Sequence, residues 1–434
     1  MKRTANILCL FLLFRCAGPA EELMPNDQII PDWNDKLSDI IIHDIYNPPV
    51  ASRIYAYSNL AAYEAIANLE NNKSTFSGVI NGLNHSVSVG NSEINIEIAT
   101  LVAFSEVAES LIISKDSIRA WREADLAGYA SSVQKKVLDE SVAYGQRVAE
   151  AIIKYAGEDN YKKLTNMPGY IVSEDEDAWQ PTPPAYLEAA EPNWEKLRPF
   201  ALDSASQFIP KPPVPFDSKE GSDFYNAALV VYDAVNKRTQ SDSIIAVYWD
   251  CNPQTTRFVG HAMMFSQKLT PGGHWISITS AAARSAKLDL ASSAEIHAMV
   301  AMGIADAFIN CWNEKYRSNL IRPETYINRY IDPDWRPILE TPSFPEHTSG
   351  HSVASASAAT ILTAYFGENF SFTDSAEVRF GLTPRSYNSF REASDEAAVS
   401  RLYGGIHYDL AITEGIVQGN QVGQNLLQKI GFKN

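Results

Sequence analysis

Apolar residues recur every three or four positions along several long stretches, and that spacing confines the chain to packed helices. It runs through 51–70 (ASRIYAYSNLAAYEAIANLE), 97–113 and 131–157, and it predicts further helices at about 221–237, 292–317, 350–366 and 409–430. Alternating strand-like runs are few and no internal repeat occurs, so the fold class is read as all-α, built of helical bundles. At 434 residues, 45% of them apolar, the chain is long enough to bury a large core.

The first residues, MKRTANILCLFLLFRCAGPAEE, read as an export signal: Lys2 and Arg3, an apolar run from Ile7 to Phe14, then small residues. That run is too short to span a bilayer. Cleavage is expected after Ala20, with lipid attachment at Cys16 as the alternative. The mature protein is therefore expected to be periplasmic, secreted or lipid-anchored at the envelope. No later segment reads as long and apolar enough to cross a membrane. Losing residues 1–20 removes Lys2, Arg3 and Arg15 and moves the formal charge from −16 to −19. A chain this acidic is a poor general nucleic-acid binder, so any anion it binds must meet positive charge gathered locally. Cys251 and Cys311 remain, too few for a disulfide framework or a thiolate cluster; they leave one optional disulfide.

Residues 168–215 hold ten of the 23 prolines. The chain is accordingly divided into a helical half over 21–167, a proline-rich connection over 168–220 and a second helical half over 221–434, expected to form one compact unit. Trp179, Tyr186, Trp194 and Phe200 favour a connection that packs down over a free linker.

Three short clusters carry chemistry. In CWNEKYRSNLIRPETY, Lys315 and Arg322 are seven residues apart, close to two helical turns, although Pro323 disfavours helix at Arg322. In SFPEHTSGHS, Ser349 precedes a helix that ends at Gly367, and Gly350 allows close backbone approach to an anion at that helix N-terminus. In SRLYGGIHYD, Arg401 and His407 converge only if Gly404-Gly405 breaks the helix. Each alone has a bland reading: a solvated face, a cap, a satisfied histidine.

Together, Lys-x6-Arg-Pro, Ser-Gly-His and Ser-Arg-x5-His, in that order across residues 315–407, resemble the tripartite signature of the vanadium haloperoxidase and type 2 phosphatidic acid phosphatase superfamily. Thr348 stands where that family usually has Pro, a change that only loosens a turn. The resemblance implies paired helical bundles and a vanadate or phosphate cage of Lys315, Arg322, Ser349, Gly350, His351, Arg401 and His407. It implies that His407 is the metal-ligating or nucleophilic residue, His351 the acid/base, and Lys315 the group that polarises peroxide. Relatives often carry Asp four residues after the ligand histidine; here that position is Ala411, leaving Asp409, Glu414 or a backbone carbonyl to orient His407. His347 has no place in the signature and is expected at the rim.

Trp312 and Phe344 match aromatic positions that flank the vanadate pocket in haloperoxidases and are the halide-pocket candidates, with core packing as the rival role for Trp312. The leading reading is thus a vanadate-dependent haloperoxidase that takes hydrogen peroxide and a halide, iodide first and bromide next, to hypohalous acid; a monomer suffices for it. An acid phosphatase acting through a phosphohistidine in the same cage is the alternative, and a non-catalytic surface binding protein is the third reading.

Overall fold

A computed structural model describes residues 26–433, except 71, 72, 86, 90–92 and 165. The expected signal, with Cys16 and Ala20, lies outside the described residues. The first part of the chain forms α1 (Ile29–His43), α2 (Pro48–Ala67), α3 (Ile96–Leu111), α4 (Lys115–Tyr129), α5 (Lys135–Gly157) and the single turn α6 (Tyr161–Leu164). The second forms α7 (Asp223–Asn236), α8 (Gln240–Tyr248), α9 (Pro271–Ala286), α10 (Leu290–Ser318), α11 (Pro323–Tyr330), α12 (Gly350–Phe366), α13 (Phe390–Tyr403) and α14 (Asp409–Lys429). Two short antiparallel hairpins interrupt it: β1 (Thr256–Val259) with β2 (Ala262–Phe265), and β3 (Phe372–Asp374) with β4 (Arg385–Tyr387). The fold is all-α, and one apolar core runs from Ile29 in α1 to Leu427 in α14.

Helix α10 is the axis of this core. Its 29 residues extend about 44 Å, with α2 packed on one side and α12 on another. By length and composition it is apolar enough to cross a membrane, contrary to the sequence expectation, yet 94% of its apolar window is buried inside the protein. The reason is its position: a helix surrounded by other helices is apolar all round.

Helix α12 is built of small residues because it is squeezed between α10 and α14. A Cβ on Gly303 of α10 would stand 2.3 Å from the Ile361 side chain, and one on Gly419 of α14 would stand 2.2 Å from the Val353 carbonyl oxygen. Gly415 and Gly423 face the same helix, where an added Cβ would stand 2.8 Å from Ser352 Cβ and from the Ser357 carbonyl oxygen. This spacing brings the first turn of α12 up to the end of α10 and the start of α14, where the sequence clusters lie.

The stretch between α6 and α7 is irregular, with one 3-10 turn at Trp194–Lys196. Asp306 of α10 ties it down by accepting N–H bonds from Phe200, Ala201 and Leu202 at 2.7, 2.7 and 3.2 Å. Trp179, Trp194 and Phe200 are buried as expected, whereas Tyr186 is 63% exposed.

Candidate active site

Each signature residue sits at a helix end. Lys315 occupies the last turn of α10, which Asn319 closes in the left-handed conformation. Arg322 is the extended residue before Pro323 at the start of α11, the conformation that a following proline imposes. Ser349 caps α12 by accepting the Ser352 N–H, so Gly350 and His351 form its first turn. Arg401 lies in the last turn of α13; Gly405, at φ +80°, then breaks the helix and His407 follows in the connection to α14. The break that convergence required is present.

The side chains of Lys315, Arg322, Ser349, Arg401 and His407 are buried. The His407 Nδ1–H donates to Glu346 Oε1 at 2.7 Å, and the Tyr408 N–H donates to the same oxygen at 3.0 Å. That bond fixes the tautomer and leaves Nε2 with its lone pair, 3.2 Å from Arg322 Nη1. Arg322 also donates to the carbonyls of Phe344 and Ile406 at 2.8 and 2.9 Å. The Lys315 ammonium donates to the carbonyls of Pro345, Glu346 and Thr348 at 3.0, 3.0 and 2.5 Å. Arg401 donates to the Trp249 carbonyl at 2.6 Å and to Ser400 Oγ at 2.9 Å. His351 is half-buried, but its Nε2 is enclosed and has no hydrogen-bond partner among the described residues.

Burial and mutual repulsion set the electrostatics. Desolvation, with Arg322 and Lys315 beside it, holds His407 well below the usual histidine range. Desolvation and Arg401 do the same to His351. Burial also pushes Lys315 down to about 7, Arg322 down to about 10 and Glu346 up to about 7. The site therefore holds two neutral imidazoles among crowded cations, a setting that an anion would relieve.

Gly350, His351 and His407 line a cavity whose wall includes Phe308, Trp312 and Phe344, whereas Lys315, Arg322, Ser349 and Arg401 are not among its lining residues. The Trp312 and Phe344 rings meet at 4.9 Å, and Phe344 shields the cations, with Lys315 Nζ and the Arg322 guanidinium each 4.9 Å from its centre. Trp312 is both core and wall: its indole N–H donates to the Ala190 carbonyl at 3.2 Å.

A family model for the second helical-bundle domain of VCPO matches residues 295–432, which contain all three clusters. No curated sequence matches the chain. A solved structure described as the first bacterial vanadium-dependent iodoperoxidase is 44% identical, covering 94% of this chain and 98% of that one, with a TM-score of 0.88. The chain belongs to the vanadium-dependent haloperoxidase family. Holo and apo structures of a bacterial vanadium-dependent chloroperoxidase share the fold at 15% and 16% identity, covering 94% and 92% of this chain and 96% and 97% of those chains, with TM-scores of 0.69 and 0.70. Of the three readings that the sequence leaves open, the haloperoxidase is the one its relatives bear out.

Two expectations about this haloperoxidase are corrected. The group orienting His407 is neither Asp409, which is exposed, nor Glu414, which pairs with Lys211, but Glu346, 61 residues upstream. And His347 is not a rim residue: it is 1% exposed, its Nε2 bonds the Lys211 carbonyl at 2.9 Å, and burial lowers its pKa to about 4. Trp249, which no sequence cluster singles out, anchors Arg401 through its carbonyl. Cys251 and Cys311 are both free and buried, so the optional disulfide is not formed.

Proposed function

We propose that this haloperoxidase holds vanadate on His407 and uses hydrogen peroxide to oxidise iodide to hypoiodous acid. The observation that supports it is the charge balance: Lys315, Arg322 and Arg401 are buried beside His407 and hydrogen-bond to carbonyls and a hydroxyl rather than to carboxylates. The donor set fits a tetrahedral oxyanion, with an imidazole lone pair for the central atom, forked guanidinium donors for the oxygens and the first-turn N–H groups of α12. The enclosed, unpartnered His351 Nε2 offers a further polar contact. When bound, vanadate supplies a pentavalent Lewis-acid centre that activates peroxide without changing oxidation state.

The chain's own residues do the rest. Glu346 keeps the His407 Nδ1 proton in place, so Nε2 remains the donor atom. His351, neutral when the site is free, accepts the peroxide proton and returns one as hypohalous acid leaves. Lys315, behind Phe344 with three carbonyl partners, acts on the anion through its charge. The Trp312–Phe344 wall excludes water and suits a large, weakly hydrated halide, which favours iodide ahead of bromide. Export is part of the same proposal, supported by Lys2, Arg3 and the apolar run to Phe14; recovery from periplasm or medium of protein beginning after Ala20 tests it.

The activity test is addition of orthovanadate to purified protein, followed by peroxide-dependent oxidation of iodide and bromide. Iodide oxidation is expected to appear with about one equivalent of vanadate. A rate no higher than the protein-free control overturns the proposal.

A further inference from the structure

Beside the anion cage lies a second buried cluster, drawn from four separate segments. Cys251 follows α8, His274 is in the first turn of α9, Asp374 ends β3, and Glu377 lies in the 3-10 turn Ala376–Phe380. Cys251 Sγ and His274 Nδ1 are 3.3 Å apart, His274 Nδ1 and Glu377 Oε1 are 3.3 Å apart, and Sγ and Oε1 are 4.0 Å apart. We propose that Cys251, His274 and Glu377 bind one divalent transition-metal ion of the zinc class.

The distances carry the argument. A tetrahedral ion with bonds of ~2.3 Å to sulfur and ~2.0–2.2 Å to nitrogen and oxygen holds its ligands roughly 3.4–3.6 Å apart. The three separations bracket that range, so shifts of a few tenths of an ångström would complete the site. One thiolate, one imidazole and one carboxylate are a donor set that zinc accepts, and three protein ligands leave a fourth position for water.

The outer shell fits as well. A metal-binding histidine almost always hands its other ring N–H to a carboxylate, a backbone carbonyl or a water, and His274 Nε2 lies 2.6 Å from Asp374 Oδ2. Asp374 is itself held by the Ala376 N–H at 2.9 Å. The His274 ring is stacked on Trp249, centres 4.4 Å apart at 18°, which fixes the plane in which Nδ1 points at Cys251 and Glu377. All four side chains are buried.

Charge poses no obstacle. Without metal, burial pushes the Cys251 thiol up, so it is protonated. Burial opposes a charge on His274, but Asp374 and Cys251 beside it raise its pKa well above the ordinary value. A divalent ion would replace the thiol proton and the Nδ1 proton, and two protons would leave. The cluster carries the same net charge before and after, so no extra charge is buried. Metal affinity should therefore rise with pH, by up to about 100-fold per unit where both protons must be displaced. The ion would clamp the turn whose Trp249 carbonyl holds Arg401 at 2.6 Å, so its role is to position one arm of the cage.

The test is titration of the chelator-treated protein beginning after Ala20, whose cysteines are Cys251 and Cys311, with Co(II). One equivalent is expected to give the visible bands of four-coordinate cobalt and a thiolate-to-cobalt band, with Zn(II) displacing both. Cys251→Ser should abolish the thiolate band, Cys311→Ser should keep it, and Asp374→Asn should weaken binding by about 10–100-fold. Absence of these bands in the parent protein, or a thiolate band that survives in Cys251→Ser, overturns the proposal. Should Cys251→Ser fail to fold, zinc-edge X-ray absorption on the zinc-loaded parent decides: one sulfur neighbour supports the site, none or two overturns it. Neither readout involves vanadate, so the result stands apart from the haloperoxidase reading.

Discussion

Two groups of buried arginine and lysine stand in this molecule, and they are solved in opposite ways. In the first half, Arg53 is matched to one acid: its Nε donates to Asp159 Oδ2 at 2.6 Å, and the Tyr57 hydroxyl donates to the same oxygen at 3.0 Å. In the second half, Lys315, Arg322 and Arg401 form no ion pair among the described residues; their hydrogen bonds go to carbonyls, a hydroxyl and the His407 ring. Carbonyls satisfy donors but do not neutralise charge, and the Glu346 carboxyl near Lys315 and Arg322 bonds to neither. The first group is therefore complete and the second is short of negative charge. Buried charge is a sign of function where its hydrogen bonds are made and its charge is not balanced.

That contrast breaks if the wrong group proves to be the functional one. His407→Ala is expected to lower iodide-oxidation kcat/KM by at least about 10³-fold, since the nitrogen proposed to hold the vanadate is gone. Circular dichroism and the unfolding midpoint should change little. Arg53→Met should do the reverse, destabilising the fold by about 3–5 kcal/mol through the stranded Asp159 carboxylate. Its turnover per folded, vanadate-loaded molecule should match the parent. A large loss of turnover in Arg53→Met at full folding would remove the distinction.

The same contrast explains what the sequence makes legible. Period and spacing identify the long core helices, because α2, α10 and α12 owe their structure to burial. The candidate cage residues can be picked out too, since their spacing is set by helix ends and a glycine break within a short span. Shorter helices such as α8 and α11 escape notice, since 9 and 8 residues give too few turns for a period to emerge. But α1, α4, α9 and α13, at 14 to 16 residues, are not singled out by the sequence either. Glu346 and Trp249 are invisible for another reason. Glu346 reaches His407 across 61 residues, and Trp249 serves Arg401 across 152 through a backbone carbonyl, so neither leaves a local pattern. The nearness of Cys251, His274 and Glu377 is likewise a product of packing, since 126 residues separate the outer two.

The smallest expected effect sharpens the comparison by titrating only the unbalanced group. Burial holds Lys315 down at about 7 and Glu346 up at about 7. Raising the pH through that value removes a proton from each, and both losses make the cage less positive. Anion affinity must therefore fall on the alkaline side, by up to about tenfold per pH unit for each proton that binding has to restore. Sulfate is the suitable probe, because it is tetrahedral and keeps its own charge across the range. Its dissociation constant, measured by competition with vanadate at fixed ionic strength, should rise between about pH 6 and pH 8. Lys315→Gln should bind sulfate more weakly at the acid end and show a shallower slope, since one of the two titrating groups is gone. The same measurement on Arg53→Met should reproduce the parent slope, because Arg53 bonds to Asp159 and to none of the cage residues. A sulfate affinity that is flat with pH in the parent would mean that the charge of the cage is balanced by something other than the anion it binds.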